Sequence, residues 1–367
     1  MSAKMIDART VTLTEARSRI MRCLKVQRPV FLWGPPGVGK SELIEQIAES
    51  MGGVMMDFRL GIRQPTDIVG IPFYNKETGL MDWAPPVDLP TQEFAAKYPV
   101  VVLFLDEMNS AAPAVQAAAY QLVLNRRVGK YVLPDNVVVV AAGNRESDKG
   151  VTFRMPTPLA NRFVHLEVRV DFQTWFDWAV DHNVHKDIVG YLNFRKNDLF
   201  DFDPKSSSRS FATPRSWKFL SDLLVDESIT NEELSDLAAG TVGEGIAVQF
   251  MAHRKFAENL PDPSDILSGK VTDLKTAEMS AKYSLVISMC YELQEAQKNN
   301  VGKGVFHDMA DNFLKFMMKN FETELTVMGA RVALVNYKLP IEPSRLKSFE
   351  EFHKRFGKYI IAVGNNR

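Results

Sequence analysis

The sequence has little cysteine, almost no net charge and no clustered metal ligands. Its 367 residues include two cysteines, Cys23 and Cys290, which lie far apart and outside any metal-ligand spacing. The sequence therefore does not support a disulfide framework, and a reducing, cytoplasmic location is expected. The six histidines form no His-Glu-x-x-His pair, which excludes that type of zinc site.

Long apolar runs are also missing. The longest, at residues 100–105 and 137–142, are the size of a strand, whereas a membrane span needs about 20 apolar residues. The polar N-terminal residues 1–14 lack the apolar stretch of a secretory signal. We therefore expect a soluble protein without a membrane span. The formal net charge of -1 also disfavours nucleic acid as a partner, since such proteins are typically basic.

The first half of the chain alternates between two periodicities. Short apolar runs typical of buried strands lie at residues 29–33, 54–60, 100–105, 137–142 and 164–170. Helical spacing separates them at residues 13–26, 41–51, 113–124 and 158–162. This alternation predicts a parallel sheet with helices on both faces. Residues 61–95, rich in Pro, Gly and Asp, predict loops with a hairpin and a short helix, and residues 128–133 predict a second hairpin.

The second half shows only helical spacing. Helices are predicted at residues 175–194, 214–224, 231–256, 272–295 and 306–321. Prolines at 261 and 263 indicate a boundary inside this region. Met and Phe at helical spacing over residues 272–322 favour a core or a subunit interface.

Residues 34–41 fit the pattern G-x-x-x-x-G-K-[ST] between a predicted strand and a predicted helix, which is the context that supports a phosphate-binding loop. In order they are Gly34, Pro35, Pro36, Gly37, Val38, Gly39, Lys40 and Ser41. The glycines allow backbone N–H groups to surround phosphates, and the helix N-terminus adds positive potential. Lys40 is expected to reach the β- and γ-phosphates of ATP, and the Ser41 hydroxyl to bind Mg²⁺.

Two acids follow the apolar strand at residues 101–105. Asp106 is the expected Mg²⁺ partner, and Glu107 the expected base for the attacking water. Asn144, after the strand at 137–142, could hold that water or the γ-phosphate, although an asparagine in a turn is unremarkable by itself.

Together these residues resemble the AAA+ ATPases. Three further segments, at residues 65–70, 158–163 and 212–215, resemble the MoxR-like branch. The resemblance covers roughly residues 10 to 260 and implies a ring-forming, usually hexameric ATPase. The implied division is an α/β nucleotide-binding domain at 1–170, a helical lid at 171–262 and a helical C-terminal extension at 263–367.

The resemblance also implies roles for three catalytic residues. Asn144 corresponds to the sensor-1 residue, Arg162 to an arginine finger aimed at a neighbouring subunit, and Arg215 to the sensor-2 arginine of the lid. Either arginine could instead be a solvated surface cation. The basic segment 126–130 would be the hairpin before sensor 1, which in related helicases faces the pore, or else a charged solvated turn.

MoxR-like proteins often act with a separate partner that carries a von Willebrand factor A-type domain, and this implies an ATPase that remodels or matures a partner protein. Two alternatives stay open. One is a nucleic-acid motor, since AAA+ helicases share the core. The other is a nucleotide-gated assembly protein with little turnover, which the intact Glu107 disfavours.

Overall fold

A computed structural model describes residues 9–148, 153–226, 228–275 and 278–364 of the chain. The first eight residues of the polar N-terminal segment lie outside these ranges. No helix within them combines the length and apolarity that a bilayer crossing requires. The chain divides into two compact units, one formed by residues 1–174 with 203–206 and the other by residues 175–202 with 207–367. The predicted division of the helical part at residue 262 stays a prediction.

Ten strands lie in the described part of the first unit. They are β1 (Thr10–Val11), β2 (Val30–Trp33), β3 (Val54–Arg59), β4 (Ile71–Asn75), β5 (Leu80–Ala84), β6 (Val101–Asp106), β7 (Arg127–Val128), β8 (Tyr131–Val132), β9 (Val137–Gly143) and β10 (Val164–Val168). Six of them form one parallel sheet in the order β1-β10-β2-β9-β6-β3. The other four form the antiparallel hairpins β4-β5 and β7-β8, in the two segments where hairpins were predicted.

Among the described residues, six helices cover the sheet or lie in its connections. They are α1 (Leu13–Lys25), α2 (Lys40–Ser50), α3 (Thr66–Val69), α4 (Gln92–Ala95), α5 (Pro113–Asn125) and α6 (Thr157–Ala160). Side chains alternate along β6, so that Leu103 joins a core cluster with α5, while Phe104 joins a second cluster with α1 and α2. Both faces of the sheet are therefore covered, which is why its strands read as unbroken apolar runs. The prediction of a parallel sheet between helices is confirmed.

The second unit is helical in the part that the structure describes. After α7 (Phe172–Asp181), which begins in the first unit, its helices are α8 (Lys186–Phe194), α9 (Pro214–Leu223), α10 (Asn231–Val242), α11 (Glu244–Ala257), α12 (Pro263–Leu267), α13 (Met279–Lys298), α14 (Lys303–Asn320), α15 (Thr323–Arg331) and α16 (Phe349–Gly364). The prediction of an all-helical region is confirmed, and α15 and α16 extend it beyond the predicted elements.

Two predicted helices are each divided in two. The segment 175–194 breaks at Asn183, which has a left-handed backbone (φ 51°) and follows the end of α7. The segment 231–256 breaks at Gly243 (φ 94°), which ends α10 and begins α11. Asparagine and glycine tolerate positive φ and often end helices. The apolar spacing continues through both breaks, which is why it predicted single helices.

Candidate nucleotide-binding site

The candidate phosphate-binding loop, residues 34–41, connects β2 to α2, as the sequence predicts. Gly37 and Gly39 have left-handed backbones, with φ of 75° and 94°. Gly39 is the N-cap of α2 and provides no side-chain cap. The first N–H groups of α2 therefore remain available to an anion, which the helix dipole also favours.

Lys40 is the buried cation of this loop, with an exposed fraction of 9%. Its Nζ donates hydrogen bonds to the carbonyls of Gly34 (2.7 Å) and Pro35 (3.0 Å), and it lies 3.4 Å from Oδ1 of Asn144. The structure therefore brings two of the predicted residues together, although 104 positions separate them.

The two predicted metal ligands also meet. The Ser41 hydroxyl donates to Oδ2 of Asp106 across 3.3 Å. A hydroxyl and one carboxylate suit Mg²⁺, which takes oxygen ligands and usually fills its octahedron with waters and substrate phosphates. In the described ranges no three His, Cys, Asp or Glu side chains cluster as a metal cage. The hydroxyl and the carboxylate that are present fit an ion whose other ligands are waters and nucleotide phosphates.

Sheet order explains why these residues converge. β9 lies between β2 and β6, so the loop after β2, Asn144 after β9 and Asp106 at the end of β6 all lie at the carboxyl edge. Ligands of open α/β sheets bind at this edge. Asp106 is thus two strands away from the phosphate loop rather than on the adjacent strand, and Asn144 lies between them.

Glu107 has an unusual backbone conformation. Its φ is 55°, a left-handed value that is uncommon for residues other than glycine and that tends to occur at functional sites. Its N–H donates to Oδ1 of Asp106 (2.8 Å), and its side chain is exposed. The guanidinium of Arg59 is the nearby cation, because Arg59 is paired with Asp106 across β3 and β6. The pKa of Arg59 is raised mainly by its hydrogen bond to Asp57 and further by the charges of Asp106 and Glu107.

Asn109 is a site residue that the sequence did not indicate. It is buried, and its Nδ2 donates to the backbone carbonyl of Asn144 across 2.7 Å. It occupies space beside Gly143, where a Cβ would lie 2.1 Å from Oδ1 of Asn109. Asn109 thereby ties the turn after β6 to the turn after β9. The only sequence signal was its place two residues after Glu107.

Arg162 and Arg215 make none of the contacts described above. Arg162 follows α6 in the first unit, and Arg215 is in the first turn of α9 in the second unit. Both side chains are exposed, and neither has a hydrogen-bond or ion-pair partner among the described residues. Their predicted roles stay predictions.

A hydrogen-bonded link joins the end of β2 to the end of α6. Nε1 of Trp33, the residue before the phosphate loop, donates to Nδ1 of His165 (2.9 Å). Nε2 of His165 lies 2.8 Å from the carbonyl of Ala160. Because Nδ1 accepts a hydrogen bond, the neutral ring carries its proton on Nε2.

The basic segment 126–130 is held within the chain. The Arg126 guanidinium donates to the carbonyls of Pro134 (2.7 Å) and Val137 (2.8 Å). Lys130 forms an ion pair with Asp82 of β5 (2.5 Å), which connects the two hairpins. Arg126 therefore stabilises the hairpin rather than presenting a free charge.

The sheet, the phosphate loop and the following helices define an AAA+ α/β nucleotide-binding domain with a helical C-terminal part. Residues 29–165 match the sequence model of the ATPase family associated with various cellular activities (AAA). The match covers somewhat more than a third of the chain and contains every predicted site residue except Arg215.

Three known proteins match the chain over part or most of its length. Midasin of Giardia intestinalis is 30% identical over 201 residues, which cover 52% of this chain and 4% of midasin. Lon protease of Rickettsia bellii is 27% identical over 300 residues, or 74% of this chain and 36% of the protease. A mutant of Thermotoga maritima RuvB superposes with a TM-score of 0.35 at 15% identity, covering 84% of this chain and 89% of that one. The chain thus spans only a minor part of midasin and of the protease.

Proposed function

We propose that the chain is a Mg²⁺-dependent ATPase of the AAA+ class and its MoxR-like branch. In this proposal it assembles into rings, expected to be hexamers, and uses ATP hydrolysis to remodel or mature a separate partner protein. One observation supports it most directly. Lys40, Ser41, Asp106 and Asn144 are connected by contacts of 3.3–3.4 Å at the carboxyl ends of three neighbouring strands.

ATP would bind with its phosphates in the loop at residues 34–41. Lys40 would exchange its contacts with the loop carbonyls for the β- and γ-phosphates, and Asn144 Oδ1 lies close enough to Lys40 Nζ to orient it. Ser41 and Asp106 would hold the Mg²⁺, which when bound neutralises charge that develops on the phosphates.

Glu107 would activate the attacking water. The water oxygen attacks the γ-phosphorus, and the bond from that phosphorus to the β–γ bridging oxygen breaks. The water gives up a proton to the Glu107 carboxylate, and the bond electrons remain with ADP, so that ADP and phosphate are the products. The left-handed backbone of Glu107 supports this assignment, because such conformations persist at sites that require a particular side-chain direction.

The two exposed arginines would complete the site from outside the contact cluster. Arg162 would reach the nucleotide of a neighbouring subunit, and Arg215 the γ-phosphate of its own. Their guanidinium groups, which have no partner among the described residues, support this proposal. The separate partner protein, with a von Willebrand factor A-type domain as the candidate, is proposed on family resemblance alone.

ATP binding and ATP turnover, measured for the wild-type chain and two variants, test the proposed function. The wild-type chain should release phosphate from Mg²⁺-ATP. Lys40→Ala should lose nucleotide binding, because the phosphates lose their buried cation. Glu107→Gln should bind ATP with wild-type affinity and turn it over about 10²–10⁴-fold more slowly. Titration calorimetry measures binding and a phosphate-release assay measures turnover. Normal turnover by Glu107→Gln would contradict its role as the base, and absent wild-type turnover would contradict the proposed function.

A further inference from the structure

A glycine lies directly against the carboxylate of Glu107. Gly61 is in a single 3-10 turn (Leu60–Ile62) that follows β3. β3 pairs with β6 so that Arg59 is opposite Asp106, which brings the residues after both strands side by side. A Cβ added to Gly61 would lie 2.6 Å from Oε2 of Glu107 and 3.4 Å from its Cβ. Real Cβ atoms essentially never come within 3.0 Å of such a neighbouring atom, so the first distance is a clash.

The backbone does not require glycine at this position. Gly61 is absent from the glycines with positive φ among the described residues, so an alanine could adopt its conformation. The three nearest atoms to an added Cβ all belong to the Glu107 side chain. What the missing side chain provides here is therefore space, and Glu107 occupies that space.

Glu107 has little freedom to move its backbone away. Its φ of 55° and its N–H bond to Oδ1 of Asp106 hold the main chain at the end of β6. A methyl group at position 61 would instead displace the carboxylate by changing the side-chain rotamer. Such a displacement is inexpensive for folding, but a general base must lie within hydrogen-bond reach of the proton that it removes.

We propose that Gly61 is a positioning residue for Glu107, and that its missing side chain keeps open the room from which the carboxylate polarises water. This inference rests on the proposed function, in which Glu107 is the base. This role differs from that of glycines whose missing side chain is required for the backbone to pack. Gly53 is one of these, because a Cβ there would lie 2.2 Å from the backbone carbonyl of Val100.

Steady-state kinetics of Gly61→Ala test the inference. The variant should lose about 10-fold or more in kcat, part of the contribution of a general base. Its KM for ATP, its affinity for ATP and its melting temperature should stay at wild-type values. Gly245→Ala is the matched control, because nothing lies within 4 Å of a Cβ at that position, and its kcat should not change. Gly53→Ala should lose thermal stability instead.

A double-mutant cycle with Glu107→Gln shows whether the effect passes through the carboxylate. If it does, adding Gly61→Ala to Glu107→Gln should cause no further loss of kcat. Provided that the wild-type protein turns over ATP normally, two outcomes would overturn the inference. One is a wild-type or raised kcat in Gly61→Ala. The other is an equal fold-loss of kcat when Gly61→Ala is added to the wild type and to Glu107→Gln. Absent wild-type turnover would overturn the proposed function, and this inference with it.

Discussion

The cations assigned to the nucleotide are held in two different ways. Lys40 is 9% exposed, and its ammonium group already contacts two loop carbonyls and Asn144. Arg162 and Arg215 are exposed, without a partner in the ranges that the structure describes. The first cation is positioned by the fold of its own unit. The two arginines would acquire their position only from a nucleotide or a second subunit.

Arg162 gives the largest expected effect in this comparison. A guanidinium supplied from a neighbouring subunit contributes about 10³–10⁵-fold in well-studied nucleotide hydrolases. Arg162→Ala should therefore bind ATP normally and be nearly inactive, and Arg162→Lys should not restore it, because only the planar guanidinium matches phosphate oxygens. Phosphate release and nucleotide affinity are measured side by side.

A mixing experiment tests whether Arg162 acts between subunits. Arg162→Ala retains an intact phosphate loop, and Lys40→Ala retains an intact Arg162. Mixed rings should regain part of the activity, because some sites then combine a functional loop with a functional arginine. If the two variants assemble together and no activity returns, Arg162 does not act on the nucleotide of a neighbouring subunit.

Arg215 should have a smaller effect, limited to its own chain. It lies in the first turn of α9, after Pro214 and the capping residue Thr213. Arg215→Ala should weaken both ATP affinity and kcat, since the proposed contact to the γ-phosphate exists in the bound state. Mixing with Lys40→Ala should not restore activity, in contrast to Arg162. Lys218→Ala, one turn further along α9, is the control and should leave turnover unchanged.

Substitution of Asn109 should have the smallest effect. It tests how far the position of Asn144, and with it the contact to Lys40, depends on the hydrogen bond from Asn109. Asn109→Leu removes the hydrogen bond to the Asn144 carbonyl, and kcat should fall about 5-fold, since a bond of this kind contributes on the order of 1 kcal/mol. Asn136→Leu is the matched control, because Nδ2 of Asn136 donates to the carbonyls of Ala95 and Tyr98 away from the site. It should lower the melting temperature and leave kcat unchanged. Equal loss of kcat in both variants would indicate a general folding defect.

Local sequence predicted those parts of the site that are fixed by local structure. The phosphate loop has its pattern, glycines and flanking strand and helix within residues 30–50. The strand that ends at Asp106 is an apolar run that terminates in acids. Lys40, Asp106 and Asn144 converge because the parallel strands that the sequence predicts end at one edge of the sheet, where the observed contacts lie.

The missed features depend on contacts between distant segments. Asn109 matters because Asn144 follows the neighbouring strand β9, and Gly61 because the turn after β3 lies beside Glu107. Neither relation leaves a periodic pattern. The helix breaks at Asn183 and Gly243 were missed for a different reason, since apolar spacing reports which face is buried and does not respond to a single residue with positive φ.

The bond between Trp33 and His165 should also give the protein an intrinsic optical signal. The indole of Trp33 immediately precedes Gly34 and donates to an imidazole that contacts the last residue of α6. Indole emission is sensitive to such a bond, so loading of the adjacent loop should be visible in tryptophan fluorescence without an added dye. The chain has five tryptophans, and a Trp33→Phe protein would identify the part of the signal that comes from this position. The kinetics of nucleotide capture and release could then be followed in the unlabelled protein.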